Sequence, residues 1–149
     1  MTLAEQLTPC GPVVDPKAAA RAREIIAETL WTDRLEQAWP ALAPVFGASP
    51  YLASLARREP ERLDGLLAAD PQARLEDILA RTAAAADFDL EAAQVGLREL
   101  KAELHLLTAL ADLGGVWDLD QVTGALTSFA DAAVTSALWV AARGELEAG

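Results

Sequence analysis

Apolar residues recur along this chain at steps of three and four, the period of a helix that buries one face. The pattern is clearest near the C-terminus. Leu97, Leu100, Leu104, Leu107 and Leu110 share one broad face. Beyond Gly114-Gly115, a second stripe follows at the same steps: Leu119, Val122, Leu126, Phe129, Ala133 and Val140. This spacing predicts a long helix from Asp89 to Leu113 and another from Asp118 to about Arg143. The turn between them is short enough to make the two an antiparallel hairpin. Ala130, Ala133 and Ala137 would let the partner helix approach closely. Burial of Leu126 and Phe129 would each stabilise the pair by roughly 1.5–3 kcal/mol.

Polar punctuation divides the rest of the chain. Asp15-Pro16, Ser49-Pro50 and Asp70-Pro71 repeat one helix-start signal. The first residue caps free amides, and Pro suits the first helical position, where its missing N–H costs nothing. These signals predict helices to about residues 30, 58 and 86, and Glu59-Pro60 starts a short one to about Leu67. Thr32 or Asp33 opens a short helix ending near Trp39, because Pro40 and Pro44 should interrupt it. Asp118 with Gln121 resembles a capping box, and Gly114-Gly115 supplies a helix C-terminus. Residues 1–14, with Pro9, Gly11 and Pro12, read as a flexible lead-in. No segment alternates with period two. The predicted fold is all-α: residues 15–149 form a compact bundle of about six helices around the C-terminal hairpin. Trp31 and Trp39 should anchor the first helices and Trp117 should cover the turn, while Trp139 falls off the main stripe of its helix.

Composition narrows the function. Hydrophobic residues make up 52% of the 149, enough for a real core. Lys and Arg number 12 against 23 Asp and Glu, a net charge of -11. That balance disfavours nucleic acid and anionic membrane surfaces, both of which call for clustered cations. No apolar run approaches the roughly 20 residues of a bilayer span. Met1 to Pro12 lacks the basic-then-apolar pattern of a secretory signal. Cys10 is the single cysteine and has no disulfide partner in the chain. A cytoplasmic setting is the expectation.

Several segments carry a resemblance. They are Leu97-Arg98-Glu99-Leu100-Lys101, the run Leu110 to Gly115, Asp118 to Thr123, and Ala125 to Ala133. Together they resemble the helical region just upstream of the first catalytic domain in bifunctional glutamine synthetase adenylyltransferase/adenylyl-removing enzymes. Ser49-Pro50-Tyr51-Leu52 through Arg57-Arg58-Glu59-Pro60 is similar to the same family's N-terminal region. The resemblance implies a non-catalytic N-terminal fragment, lying before a nucleotidyltransferase domain in the same chain. For the parent enzyme it implies ATP and Mg²⁺ as cofactors, and glutamine synthetase and a PII-type signalling protein as partners, in nitrogen regulation. The fragment would brace the first, deadenylylating domain. One departure stands out: Ala102 and Glu103 follow Lys101 where the family often carries a more basic run. The residues by themselves leave a second reading, a stand-alone helical protein-interaction module.

Candidate chemistry is sparse. Nucleotidyl transfer needs carboxylates that hold Mg²⁺ against a triphosphate. The chain has two Asp-x-Asp triplets, Asp87-Phe88-Asp89 and Asp118-Leu119-Asp120, but Asp89 and Asp118 are already explained as helix caps. The family's Gly-x-Gly-Lys and Ser-Asp-x-Asp do not occur. Gly114-Gly115 reads as a turn rather than a phosphate cradle, because acidic Asp118 would repel the anion. No catalytic, cofactor-binding or metal-ligating residue is assigned. Arg98, Lys101, His105 and Asp112 fall on one helical stripe. It reads either as a solvated face, with His105 half-buried near Asp112, or as an interdomain contact. Trp139 joins that contact set as a docking residue or else packs under another helix.

Overall fold

A computed structural model describes all 149 residues and contains helices without strands. The α-helices are α1 (Leu3–Gln6), α2 (Pro16–Thr29), α3 (Asp33–Ala48), α4 (Pro50–Arg58), α5 (Pro60–Ala68), α6 (Pro71–Ala84), α7 (Leu90–Leu113) and α8 (Leu119–Ala148). A 3-10 turn, Ala85–Asp87, separates α6 from α7. The all-α expectation holds, with eight helices rather than about six.

Local chemistry sets most helix starts. Asp15, Thr32, Ser49, Asp70, Asp89 and Asp118 each accept a hydrogen bond from the amide three residues on. Each such cap stabilises its helix by about 1 kcal/mol. Gln121 returns a bond to the Asp118 amide and completes the box. Proline occupies the first turn of α2, α4, α5 and α6.

The helices α1 to α5 pack on one another, and α6, α7 and α8 form a second group joined to the first mainly through α7. A single core cluster runs through both. Phe46, Ile26, Leu42 and Leu63 fill it from the first group, and Ile78, Leu104, Leu106 and Leu107 from the second. Trp31 meets Trp39 edge-on at 5.6 Å, and Trp39 lies 6.0 Å from Phe46. The Arg23 guanidinium sits 4.7 Å over the Trp31 ring. Both tryptophans therefore anchor the first helices, as expected, and Trp117 is buried beside the hairpin turn.

Four expectations are corrected. Residues 1–14 do not run free: Leu3 is fully buried in the core, and its amide donates to the Ala69 carbonyl at 2.8 Å. Thr8 donates from both its amide and its hydroxyl to the Gly114 carbonyl. Leu3, unreadable as a periodic pattern, and the Thr8 bonds tie this segment down.

Secondly, α3 continues through Pro40 and Pro44 to Ala48. The two prolines lie four residues apart and so disturb the same side of the helix. Buried Trp39, Leu42, Val45 and Phe46 hold the remainder in place. Packing thus outweighs the cost of about 3 kcal/mol that an interior proline carries.

Thirdly, α8 is rotated from its expected setting. Ala125, Phe129, Ser136 and Val140 form its buried line, whereas Leu119 and Leu126 are exposed, as are Ala130 and Ala137. The Ser136 hydroxyl donates to the Thr82 carbonyl at 2.7 Å and fixes that rotation. Alanines and valines occur on several sides of α8, so its pattern is ambiguous.

Finally, α8 is long and apolar enough, by length and composition, to cross a membrane. Small polar residues interrupt its apolar runs without adding charge, and Asp131 is the only charged residue between Gln121 and Ala142.

Candidate docking surfaces

Steps of three, four and seven place Arg98, Lys101, His105 and Asp112 on one side of α7. Arg98, Lys101 and Asp112 are exposed, and none makes a salt bridge. His105 is half-buried, but its partner is not Asp112. Its Nδ1 lies 2.8 Å from the Tyr51 hydroxyl of α4, with the rings tilted by 64°. Burial first, and the nearby Lys101 charge second, push the His105 pKa below its usual 6.5. The unfolded ring therefore binds a proton that the folded one resists, and protonation opposes folding. Stability should fall as the pH drops from about 7 to about 5.5, and His105→Gln should flatten part of that slope. Urea unfolding at both pH values checks this; identical slopes would place the titration elsewhere.

Trp139 lies on α8, 64% exposed, beside exposed Leu138. With Thr135, Leu138 and Ala142 it lines a shallow cavity of about 290 Å³. The five residues singled out from sequence thus divide between a polar patch on α7 and an apolar one on α8.

A further cluster escaped the sequence reading. Glu103 of α7 is buried and accepts from Arg74 Nε at 2.7 Å and Arg81 Nη2 at 2.9 Å, both on α6. Arg81 also reaches Asp77 at 2.8 Å. Burial works against the Arg81 charge, yet the bonds and charges of Glu103 and Asp77 prevail and raise its pKa. These groups border an open cleft of about 480 Å³, with Arg62, Glu59 and Phe88 on its rim. Arg62 is paired with Glu59 at 3.0 Å. Every arginine of the cleft is neutralised by a carboxylate, so the cluster fastens α6 to α7 rather than presenting charge to an anion. The signal was available: Glu103 interrupts the apolar face around Leu100, Leu104 and Leu107, and Arg74 and Arg81 stand seven residues apart.

In the two Asp triplets, one aspartate of each is a helix cap. The Asp89 and Asp118 carboxylates are engaged by the Ala92 and Gln121 amides. Gly114-Gly115 forms the turn expected of it. Gly115 takes φ +74°, and Val116 and Trp117 both donate to the Ala111 carbonyl. A Cβ on Gly114 would lie 2.2 Å from Leu7 Cδ2 and 2.6 Å from the Leu110 carbonyl oxygen. Gly114→Ala should therefore cost about 1–3 kcal/mol, as overpacking does. A thermal melt checks it, and an unshifted transition would mean that the Leu7 segment yields freely.

Comparison with known proteins bears on this arrangement. Residues 39–149 match the family model of glutamate-ammonia ligase adenylyltransferase. A bifunctional glutamine synthetase adenylyltransferase/adenylyl-removing enzyme of Caulobacter vibrioides is 59% identical over 99% of this chain. Enzymes of the same description from Bradyrhizobium sp. (strain ORS 278) and Xanthobacter autotrophicus are 41% and 48% identical over 84% and 60% of it. The chain spans only 15%, 12% and 9% of the lengths of these three relatives. No solved structure matches it. A match across α4 to α8 and most of α3, with near-complete coverage by the Caulobacter protein, shows that this chain belongs to the glutamate-ammonia ligase adenylyltransferase family.

Proposed function

We propose that the chain is a non-catalytic helical part of an enzyme that adenylylates and deadenylylates glutamine synthetase. It braces the first, deadenylylating nucleotidyltransferase domain of the same polypeptide, in the cytoplasm. The observation that carries the reading is the coverage: nearly the whole chain aligns, yet it accounts for 15% of its Caulobacter relative. The engagement of Asp89 and Asp118 as helix caps supports it, because the carboxylates best spaced for nucleotidyl transfer are already in use. ATP and Mg²⁺, glutamine synthetase and a PII-type protein then belong to other parts of the longer enzyme.

Two assays test this. The chain incubated with ATP, Mg²⁺ and glutamine synthetase should yield no adenylylated product, and clear turnover would refute the non-catalytic reading. The complete gene product should lose deadenylylating activity or thermal stability when residues 1–149 are removed. Unchanged activity and melting would instead favour a stand-alone interaction module, a reading that exposed Trp139 also accommodates.

A further inference from the structure

One long face of α8 has no partner. Leu126, Val134 and Leu138 are exposed on this face, with exposed Ala130, Ala137 and Ala141 among them, and exposed Trp139 lies further round the helix. The buried line of α8 runs on the other side, through Phe129, Ser136 and Val140. Soluble proteins seldom leave so contiguous an apolar surface open unless something covers it. Thr127, Ala130, Val134, Ala137 and Ala141 follow one another at alternating steps of three and four, the repeat by which one helix seats against another. Exposed Asp131 and Glu145 border that line on one side. The single cation of α8, Arg143, is turned inward to the Ala86 and Phe88 carbonyls.

From this face, and resting on the bracing role proposed above, we infer that α8 receives a helix from the remainder of the longer polypeptide. That helix carries an apolar stripe bordered by Lys or Arg. Two observations choose this occupant over others. The relatives are more than six times the length of this chain, which provides the covering segment. The acidic border calls for a basic partner. A second copy would bring another net charge of -11 against the first. A lipid surface fits less well: membrane-surface helices set Lys and Arg on their polar side and Leu, Phe or Trp on the other. Here the single cation of α8, Arg143, is turned inward, so its polar side lacks the Lys and Arg such a helix uses.

The test uses the complete gene product. Ala137→Cys is introduced on the face, and Ala20→Cys, exposed on α2, serves as a control in a separate variant. Maleimide labelling is followed peptide by peptide in native buffer and in urea. The expected result is at least tenfold slower native labelling at position 137 than at position 20, with equal rates in urea. Equal native rates would overturn the inference even if removal of residues 1–149 abolishes activity, in which case the bracing role would stand on another surface.

A second variant pair adds charge to the face. Asp131→Lys with Glu145→Lys should speed labelling at position 137 at low salt, and unchanged protection would overturn the basic-flank assignment. Two further results would replace the occupant. In the 149-residue chain, protection that grows with protein concentration would identify a second copy. Protection that appears only with phosphatidylglycerol-containing vesicles would identify a membrane.

Discussion

Deleting residues 1–8 should destabilise the chain by about 3–5 kcal/mol, although these residues amount to one short turn of helix and its flanks. Leu3 is fully buried, Ala4 is nearly so, and Leu7 packs against the same cluster. Burying one leucine contributes roughly 1.5–3 kcal/mol. Leaving its space empty adds a cavity cost, because the surrounding helices relax only in part. Bonds from Leu3 to Ala69 and from Thr8 to Gly114 would also go, and with them the brace on the α7–α8 turn. Leu3→Ala alone should produce most of the effect. Urea unfolding measures both variants. A midpoint that moves by less than the equivalent of about 0.5 kcal/mol would mean that the segment is held only loosely.

The second large effect is expected at Glu103. Its side chain is only 6% exposed, and it accepts from two arginines whose own side chains are 27% and 43% exposed. Removing one partner of a buried pair costs about 3–5 kcal/mol. Arg74 and Arg81 remain partly hydrated, and Arg81 keeps Asp77, so Glu103→Ala should cost about 2–4 kcal/mol. Glu103→Gln retains an acceptor and should cost less. A double-mutant cycle with Arg74→Ala should return a coupling energy above about 1 kcal/mol. A cycle near zero would mean that water replaces the pair without loss. The consequence reaches beyond stability. Because α8 packs on both α6 and α7, loosening that junction should also weaken whatever docks on the outer face of α8.

The sequence is most legible where the physics is local. Six capping side chains reach amides three residues away, and prolines in the first turn depend only on their own φ. Helix starts at 16, 50, 71, 90 and 119 follow from these short-range rules, as does the turn at Gly114-Gly115. The leucine stripe of α7 was equally legible, because leucines on one face and charges on the other leave a single way to bury it. The family, too, was readable from runs such as Leu110 to Gly115.

Tertiary packing decided the rest. Pro40 and Pro44 signal a break by local rules, yet α3 passes through them because its flanking side chains are buried on several sides. Leu3 gives no periodic signal in a four-residue helix, and only its fit between α3 and α5 shows that it belongs to the core. The rotation of α8 was beyond the pattern, since small apolar residues occupy several of its faces and the choice falls to one buried hydroxyl, Ser136. His105 turns to Tyr51 rather than Asp112 because α4, 54 residues earlier in the chain, packs beside it. Caps and turns are written within four residues and can be read there. Burial depends on which distant segment arrives, and is fixed only when the whole chain has folded.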